Sequence, residues 1–269
     1  MSAISLIGSL TVDRVDGGPP RVGGAVYYAA RAAARVGADA VIAARCAAGD
    51  RDSLVSQLES FGLPVTWSPG ETTTSFTFRY DGDHREMTDD AVGDPWTVAD
   101  VEGWAGTALA TRWIHVGALL RSDFPTETLA ALARGGRRVL VDAQGLVRIG
   151  AEGPLRRDGE IDRDALRHIA VLKLSEDEAE ILAGSVEPDA LRALGVPEIV
   201  VTLGSTGSLV VAGDTVERIE ISPLTTIADP TGAGDTYSLA YLNARARGSA
   251  PADAARAASS VVSAILAGL

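Results

Sequence analysis

The chain of 269 residues holds a single cysteine, Cys46. One thiol excludes an internal disulfide and any multi-cysteine metal site, and its place in the apolar run Val41–Ala47 reads as a small core residue. Lysine is nearly absent, so arginine carries most of the positive charge. No basic cluster offsets the formal net charge of −12, which makes nucleic acid and anionic membrane poor partners. No apolar run approaches the length that spans a bilayer. No basic stretch precedes the apolar residues of Met1–Gly8, so a secretion signal is not expected and a cytoplasmic, reducing setting is. No two histidines stand at metal-ligand spacing, which argues against a bound zinc. Internal repeats and low-complexity linkers are missing as well. One domain over residues 1–269 is expected, long enough to bury a large core.

What is present alternates short apolar runs with alanine-rich stretches of helical period, the pattern of an α/β chain. Strands are expected at Ser2–Gly8, Leu10–Val15, Ala40–Ala44, Val65–Ser68, Trp113–Val116, Arg138–Asp142, Val171–Leu174 and Glu198–Leu203. Helices are expected at Ala25–Val36 (stopped by Gly37), Arg51–Phe61, Thr236–Arg245 and Ala252–Leu266. Thr72–Tyr80 alternates β-branched and aromatic residues and turns at Asp81-Gly82 into His84–Thr88, a hairpin signal. Ser208–Ala212 and Val216–Ile221 form an antiparallel pair around Gly213-Asp214. The segments near 10–23 and 72–88 make a small β element able to cover a pocket as a lid.

The most informative run is Asp229-Pro230-Thr231-Gly232-Ala233-Gly234-Asp235-Thr236, which enters the apolar stretch Tyr237–Leu242. Small residues stand where a backbone must approach a ligand, and the amides of Gly232, Ala233 and Gly234 would face an anion from a helix N-terminus. Asp235 would sit beside that anion. A carboxylate next to phosphate has an obvious task, taking the proton of an attacking hydroxyl. In isolation an Asp capping a helix looks the same. Four further segments follow strands or open helices: Gly8-Ser9-Leu10-Thr11-Val12-Asp13, Gly23-Gly24, Lys173-Leu174-Ser175-Glu176-Asp177-Glu178 and Thr202-Leu203-Gly204-Ser205-Thr206-Gly207. Strand C-termini are where ligands bind in open parallel sheets.

In kind, order and spacing these segments resemble the ribokinase-like (PfkB) carbohydrate kinase family, from about Ile4 to Leu266. The resemblance implies a three-layer αβα sandwich, a central mostly parallel sheet and a truncated β lid. It implies Asp235 as catalytic base, with Gly232, Ala233 and Gly234 as the anion hole. Asp13 would hold hydroxyls of the acceptor, beside Gly23, Gly24 and Tyr28. Lys173, Ser175, Thr202, Gly204, Gly207 and Asp229 would lie on the nucleotide side, and Glu178 would organise Mg²⁺ through water. The phosphoryl donor implied is ATP, with room for a monovalent cation near the Asp229 loop.

The departures are informative. Ser175 stands where the family has Asn, Tyr28 replaces the Asn common in the Gly-Gly helix start, and only nine residues connect Asp13 to Gly23. Gly23-Gly24-Ala25-Val26-Tyr27-Tyr28, Glu71-Thr72-Thr73-Thr74 and Val141-Asp142-Ala143-Gln144-Gly145-Leu146-Val147-Arg148 are similar to a short-lidded branch that includes myo-inositol kinases. That similarity brings Gln144 and Arg148 to the acceptor; on the residues alone, Arg148, Gln144 and Asp142 read equally as surface or structural groups. The expected activity is phosphorylation of a cyclitol or sugar hydroxyl by a monomer or homodimer. A nucleoside kinase would instead use Tyr27, Tyr28 and Phe76 as a slot for a base. A non-catalytic nucleotide or sugar sensor would have lost Asp235 or the glycine loop, and both are present. A dinucleotide oxidoreductase would need a Gly-x-Gly-x-x-Gly after the first strand, which is missing. His115 reads as a satisfied core or pocket-wall residue.

Overall fold

Continuous apolar runs become the central strands because helices cover both of their faces. The computed structural model describes residues 4–81, 84–221 and 231–267. In chain order its elements begin with strands β1 (Ile4–Ser9), β2 (Thr11–Val15) and β3 (Arg21–Gly23), then helix α1 (Ala25–Arg35). Next come β4 (Ala40–Ala47), α2 (Arg51–Glu59), β5 (Val65–Gly70), β6 (Thr74–Asp81), β7 (His84–Ala91) and α3 (Val98–Glu102). The middle of the chain supplies β8 (Trp113–Gly117), α4 (Thr126–Ala133), β9 (Arg138–Asp142), α5 (Gln144–Val147) and β10 (Gly153–Pro154). It closes with β11 (Val171–Ser175), α6 (Glu176–Ala183), α7 (Pro188–Arg192), β12 (Glu198–Thr202), β13 (Ser208–Ala212), β14 (Thr215–Ile219), α8 (Ala233–Ala246) and α9 (Pro251–Leu266).

Nine strands form the main sheet in the order β14-β13-β12-β11-β9-β8-β1-β4-β5. Its strands run parallel except at the β12-β13-β14 edge, the antiparallel pair expected around Gly213-Asp214. One core packs α1, α2, α8 and α9 against one face through residues such as Ile4, Leu6, Leu140 and Leu239. The other packs α4, α6 and α7 against the opposite face through Ile114, Val139, Leu172 and Leu182.

A second sheet, ordered β10-β7-β6-β2-β3, is the lid. It uses the two segments expected from the sequence and adds Gly153–Pro154, which pairs with β7 through Gly153↔Asp89 and Pro154↔Thr88. That two-residue strand is too short to carry a periodicity, so only the tertiary pairing reveals it. Phe76 and Phe78 on β6 pack with Ala25, Leu119 and Leu120 of the main body, which fixes the lid over the C-terminal ends of the parallel strands.

Candidate active site

The site begins at a turn that only glycine can make. Gly232 precedes α8 with φ 79°, in the left-handed region, and a Cβ there would collide with the Tyr28 ring. Its carbonyl accepts the first bond of the helix from the Thr236 amide at 2.9 Å. The amides just inside the helix start have no carbonyl one turn earlier, so Ala233 and Gly234 present donors and the positive end of a 14-residue helix. The Lys173 Nζ lies against this turn, 3.0 Å from where a Gly234 side chain would begin. It is the chain's only lysine.

Lys173 is held from below. Its ammonium meets both carboxylate oxygens of Asp142, at 3.2 and 3.1 Å, and the Ser238 hydroxyl donates to the same carboxylate at 3.2 Å. Burial alone would lower the lysine pKa, but Asp142, then Glu178 and Asp235, hold it above the ordinary value. Lys173 therefore keeps its charge beside the glycine turn. His115 lies buried on the same side of the sheet with no hydrogen-bond partner for either ring nitrogen. Burial pushes its pKa down to about 4, against Asp142 and with Lys173. It is a core residue as expected, but not a satisfied one.

One cleft of about 270 Å³ connects the turn to the lid. Asp235, Gly232, Ala233, Gly234, Lys173, Asp142 and Glu178 line it together with Asp13, Thr11, Gly24, Tyr28, Gln144 and Arg148. Phe76, Phe78, Met87 and Leu119 form an apolar ceiling. Asp13 is 4% exposed and its Oδ1 accepts from the Thr11 hydroxyl at 2.7 Å. Gly23 makes room for this acid, since a Cβ there would strike the Asp13 carboxylate. The Gln144 amide donates to the Ala118 carbonyl at 3.4 Å. Tyr28 keeps its proton over the whole working range: burial first, then Asp13, pushes its pKa up to about 12.

Asp235 is the group whose chemistry the cleft alters most. Burial first, and the nearby Asp142 charge second, push its pKa up to about 7; Lys173 and Arg148 oppose the rise and Glu178 adds to it. A carboxylate titrating near neutrality is matched to proton transfer, because it is both substantially ionised and basic enough to accept.

The expected nucleotide-side residues are placed less uniformly. Ser175 caps α6: its hydroxyl accepts from the Glu178 amide at 3.3 Å while the Glu178 carboxylate accepts from the Ser175 amide at 2.8 Å. A serine in the family's asparagine position thus does the work of an N-cap. Thr202 pairs in register with Ser175 and donates its hydroxyl to the Leu174 carbonyl at 3.1 Å. Gly204 opens a short exposed turn, and Gly207 lies tight against the Ile219 carbonyl at φ 114°. Ser175, Thr202, Gly204, Gly207 and Gly23 do not line the cleft. Asp229 lies outside the described residues. Tyr27 packs on Phe61, ring centroids 5.3 Å apart, and does not line the cleft. Among the described residues no group of three or more His, Cys, Asp or Glu side chains is arranged to hold a metal ion. Glu178 offers one cleft-lining carboxylate, part of which is spent on the cap, a donor set that fits an ion carried by phosphates and water.

The pairing of Lys173 with Asp142 and the ceiling residues Phe78, Met87 and Leu119 were the features least visible beforehand. Lys173 and Asp142 lie 31 residues apart and meet only because β9 and β11 are neighbours. No helix is long and apolar enough to cross a membrane among the described residues.

The same architecture recurs among known proteins. A pyrophosphate-dependent kinase of the ribokinase family, solved as a sulfate complex, superposes with a TM-score of 0.83 at 27% identity, covering 98% of this chain and 95% of that one. A pyrophosphate-dependent kinase of the ribokinase family, solved with a pyrophosphate analogue and myo-inositol, gives 0.82 at 26%, covering 98% and 94%. A ribokinase of Arabidopsis thaliana is 28% identical over 159 residues, 54% of this chain and 39% of that protein. A nucleoside kinase of Methanothermobacter thermautotrophicus is 37% identical over 82 residues, 30% of this chain and 26% of its own. The matched stretches span less than half the length of either of these two relatives. The profile of the pfkB family carbohydrate kinases matches residues 11–267, and the chain belongs to that family.

Proposed function

We propose that this protein transfers a phosphoryl group to a hydroxyl of a small polyol, a cyclitol such as myo-inositol or a sugar. The single observation that carries this is the cleft itself, which brings Asp13, Asp235 and the glycine turn together in one space. In this reading Asp13 accepts hydrogen bonds from acceptor hydroxyls, with Thr11 fixing its carboxylate. Gln144 and Arg148 contact the acceptor from the floor, and the Phe76, Phe78 and Met87 ceiling covers its less polar face. Asp235 takes the hydroxyl proton as the oxygen attacks phosphorus in line. The Gly232–Gly234 amides and the Lys173 ammonium receive the charge that grows on the transferring group, an electrostatic contribution often worth several kcal/mol. Mg²⁺, when bound, would neutralise donor phosphates, with Glu178 touching its water shell.

The donor has two readings. ATP follows from the family pattern of Thr202, Gly204 and Asp229. Pyrophosphate is favoured by the two superposing kinases described as pyrophosphate-dependent. Myo-inositol as acceptor is favoured by the polyol held in one of those structures. The Arabidopsis and Methanothermobacter relatives keep ribose and nucleosides in the comparison. Phosphoryl transfer measured for myo-inositol, ribose, fructose, adenosine and cytidine, each with ATP and with pyrophosphate, decides both. The expected result is a polyol turned over with one donor at least tenfold better than with the other. Preference for adenosine or cytidine would replace the polyol reading, and hydrolysis of neither donor with any acceptor would replace the kinase reading.

A further inference from the structure

Beside the cleft lies a second cavity, and the two share a wall. Tyr28 and Thr231 line both. The second cavity holds about 400 Å³, against about 270 Å³ for the cleft. Val22 and Tyr27 give it apolar surface, while Arg21, Arg31 and Gln57 give it hydrogen-bond donors. An apolar lining with a few directed donors suits a flat heteroaromatic ring.

The place of the wall follows from the chain. Gly24 precedes α1, and the Tyr28 amide donates to its carbonyl at 3.2 Å, so Tyr28 closes the first turn of that helix. Residues three apart on a helix share a face, and Arg31 sets its guanidinium over the Tyr28 ring, 5.2 Å from the centroid. Tyr27 meets the same ring edge-on, with centroids 5.4 Å apart. The glycine turn closes in as well, since a Cβ at Gly232 would collide with the ring. Gly232 lines the cleft and not the second cavity, whereas Arg31 lines the second cavity and not the cleft. The ring therefore stands between the two spaces, 8% exposed and held by three neighbours.

We propose that Tyr28 is a specificity-determining residue: its ring ends the acceptor cleft, so a single polyol ring is admitted and an acceptor carrying a second ring, such as a nucleoside, is excluded from the space beyond. This rests on the reading of the cleft as the acceptor site. Shortening the side chain joins the two cavities and opens donors and apolar surface to a base.

The test is kcat/KM for adenosine and for myo-inositol, or whichever polyol of the panel is turned over, in wild type, Tyr28→Ala, Tyr28→Asn and Tyr28→Phe. Wild type favours the polyol by at least about a hundredfold. Tyr28→Ala and Tyr28→Asn raise the adenosine value at least about tenfold over wild type, chiefly through KM, while the polyol value falls. Tyr28→Phe keeps the ring and leaves the adenosine value within about threefold of wild type. General damage to the site would lower both acceptors together, so the absolute rise for adenosine is the diagnostic. A folded Tyr28→Ala or Tyr28→Asn enzyme with no gain on adenosine, or an equal gain in Tyr28→Phe, overturns the role of the ring and leaves the polyol reading intact. Should neither shortened variant fold, a glucoside of the accepted polyol decides on wild type. A kcat/KM at least about a hundredfold below that of the free polyol supports the wall, and a smaller loss overturns it. A wild-type protein that prefers adenosine, or phosphorylates no acceptor, overturns both readings.

Discussion

At the residue scale, the Lys173–Asp142 pair carries the most risk when disturbed. Both groups are buried, so removing one leaves an uncompensated charge beneath the glycine turn. Lys173→Met is expected to lower stability by about 3–5 kcal/mol, read as a shift in the urea midpoint at unchanged slope. Lys173→Met with Asp142→Leu should recover most of that loss without recovering activity, which separates the structural part of the pair from the part proposed for it in phosphate binding. The residues legible beforehand were those whose chemistry is local: Gly232, Gly234 and Asp235 stand together in the chain and need no partner to be recognised. Lys173 was placed on the nucleotide side, but its anchor Asp142 could not be told from a structural acid, because their meeting depends on strand order rather than on spacing.

Elements show the same division. The main strands were readable because burial on both faces writes itself as an unbroken apolar run, as in Ile4–Ser9. The lid was readable only in part. Thr74–Asp81 alternates visibly, but Gly153–Pro154 joins the lid without any pattern of its own. Helix α6 gives a direct test of what Ser175 does. If its main task is the capping box with Glu178, Ser175→Ala should cost about 1 kcal/mol in thermal unfolding, and Ser175→Asn, equally able to cap, should cost almost nothing. A large loss of donor affinity in Ser175→Asn at full stability would assign the serine to phosphate instead. Helix α8 offers a second test. Gly232→Ala forces an alanine into φ 79° and against the Tyr28 ring, so both stability and transfer are expected to fall, by at least 1–2 kcal/mol in unfolding.

For the whole molecule, the two buried acids Asp89 and Asp123 and the half-buried Asp235 set the pH dependence of stability. Asp89 and Asp123 are pushed up to about 6 and Asp235 to about 7, each chiefly by burial. An acid whose folded pKa lies above its unfolded value holds its proton in the native state between the two, so stability falls as pH rises through that window. Buried His115, pushed down to about 4, works the other way, since only the unfolded chain binds its proton between about 4 and 6.5. Asp100, held down to about 2 chiefly by Arg45 and Thr97 against its burial, loses its contribution only in stronger acid. Three acids outweigh one histidine from about pH 4 upward, so Tm should be higher at pH 5 than at pH 7.5. A Tm that climbs steadily from pH 5 to 8 would show these acids to be ionised and compensated in the folded state. The net charge of −12 adds self-repulsion at neutral pH, so moderate salt should raise Tm at pH 7.5 more than at pH 5.

The proposed transfer rests on one arrangement, a carboxylate with a pKa near neutrality lining the cleft beside a helix N-terminus. The pH profile of kcat/KM for phosphoryl transfer, in wild type and in Asp235→Asn, tests it most directly. Wild type should show a rate that rises with pH through a step near 7, and Asp235→Asn should lose at least about a thousandfold while still binding donor, with that step gone. An Asp235→Asn enzyme that keeps near-normal turnover and the same pH step would contradict the assignment of Asp235 as the base.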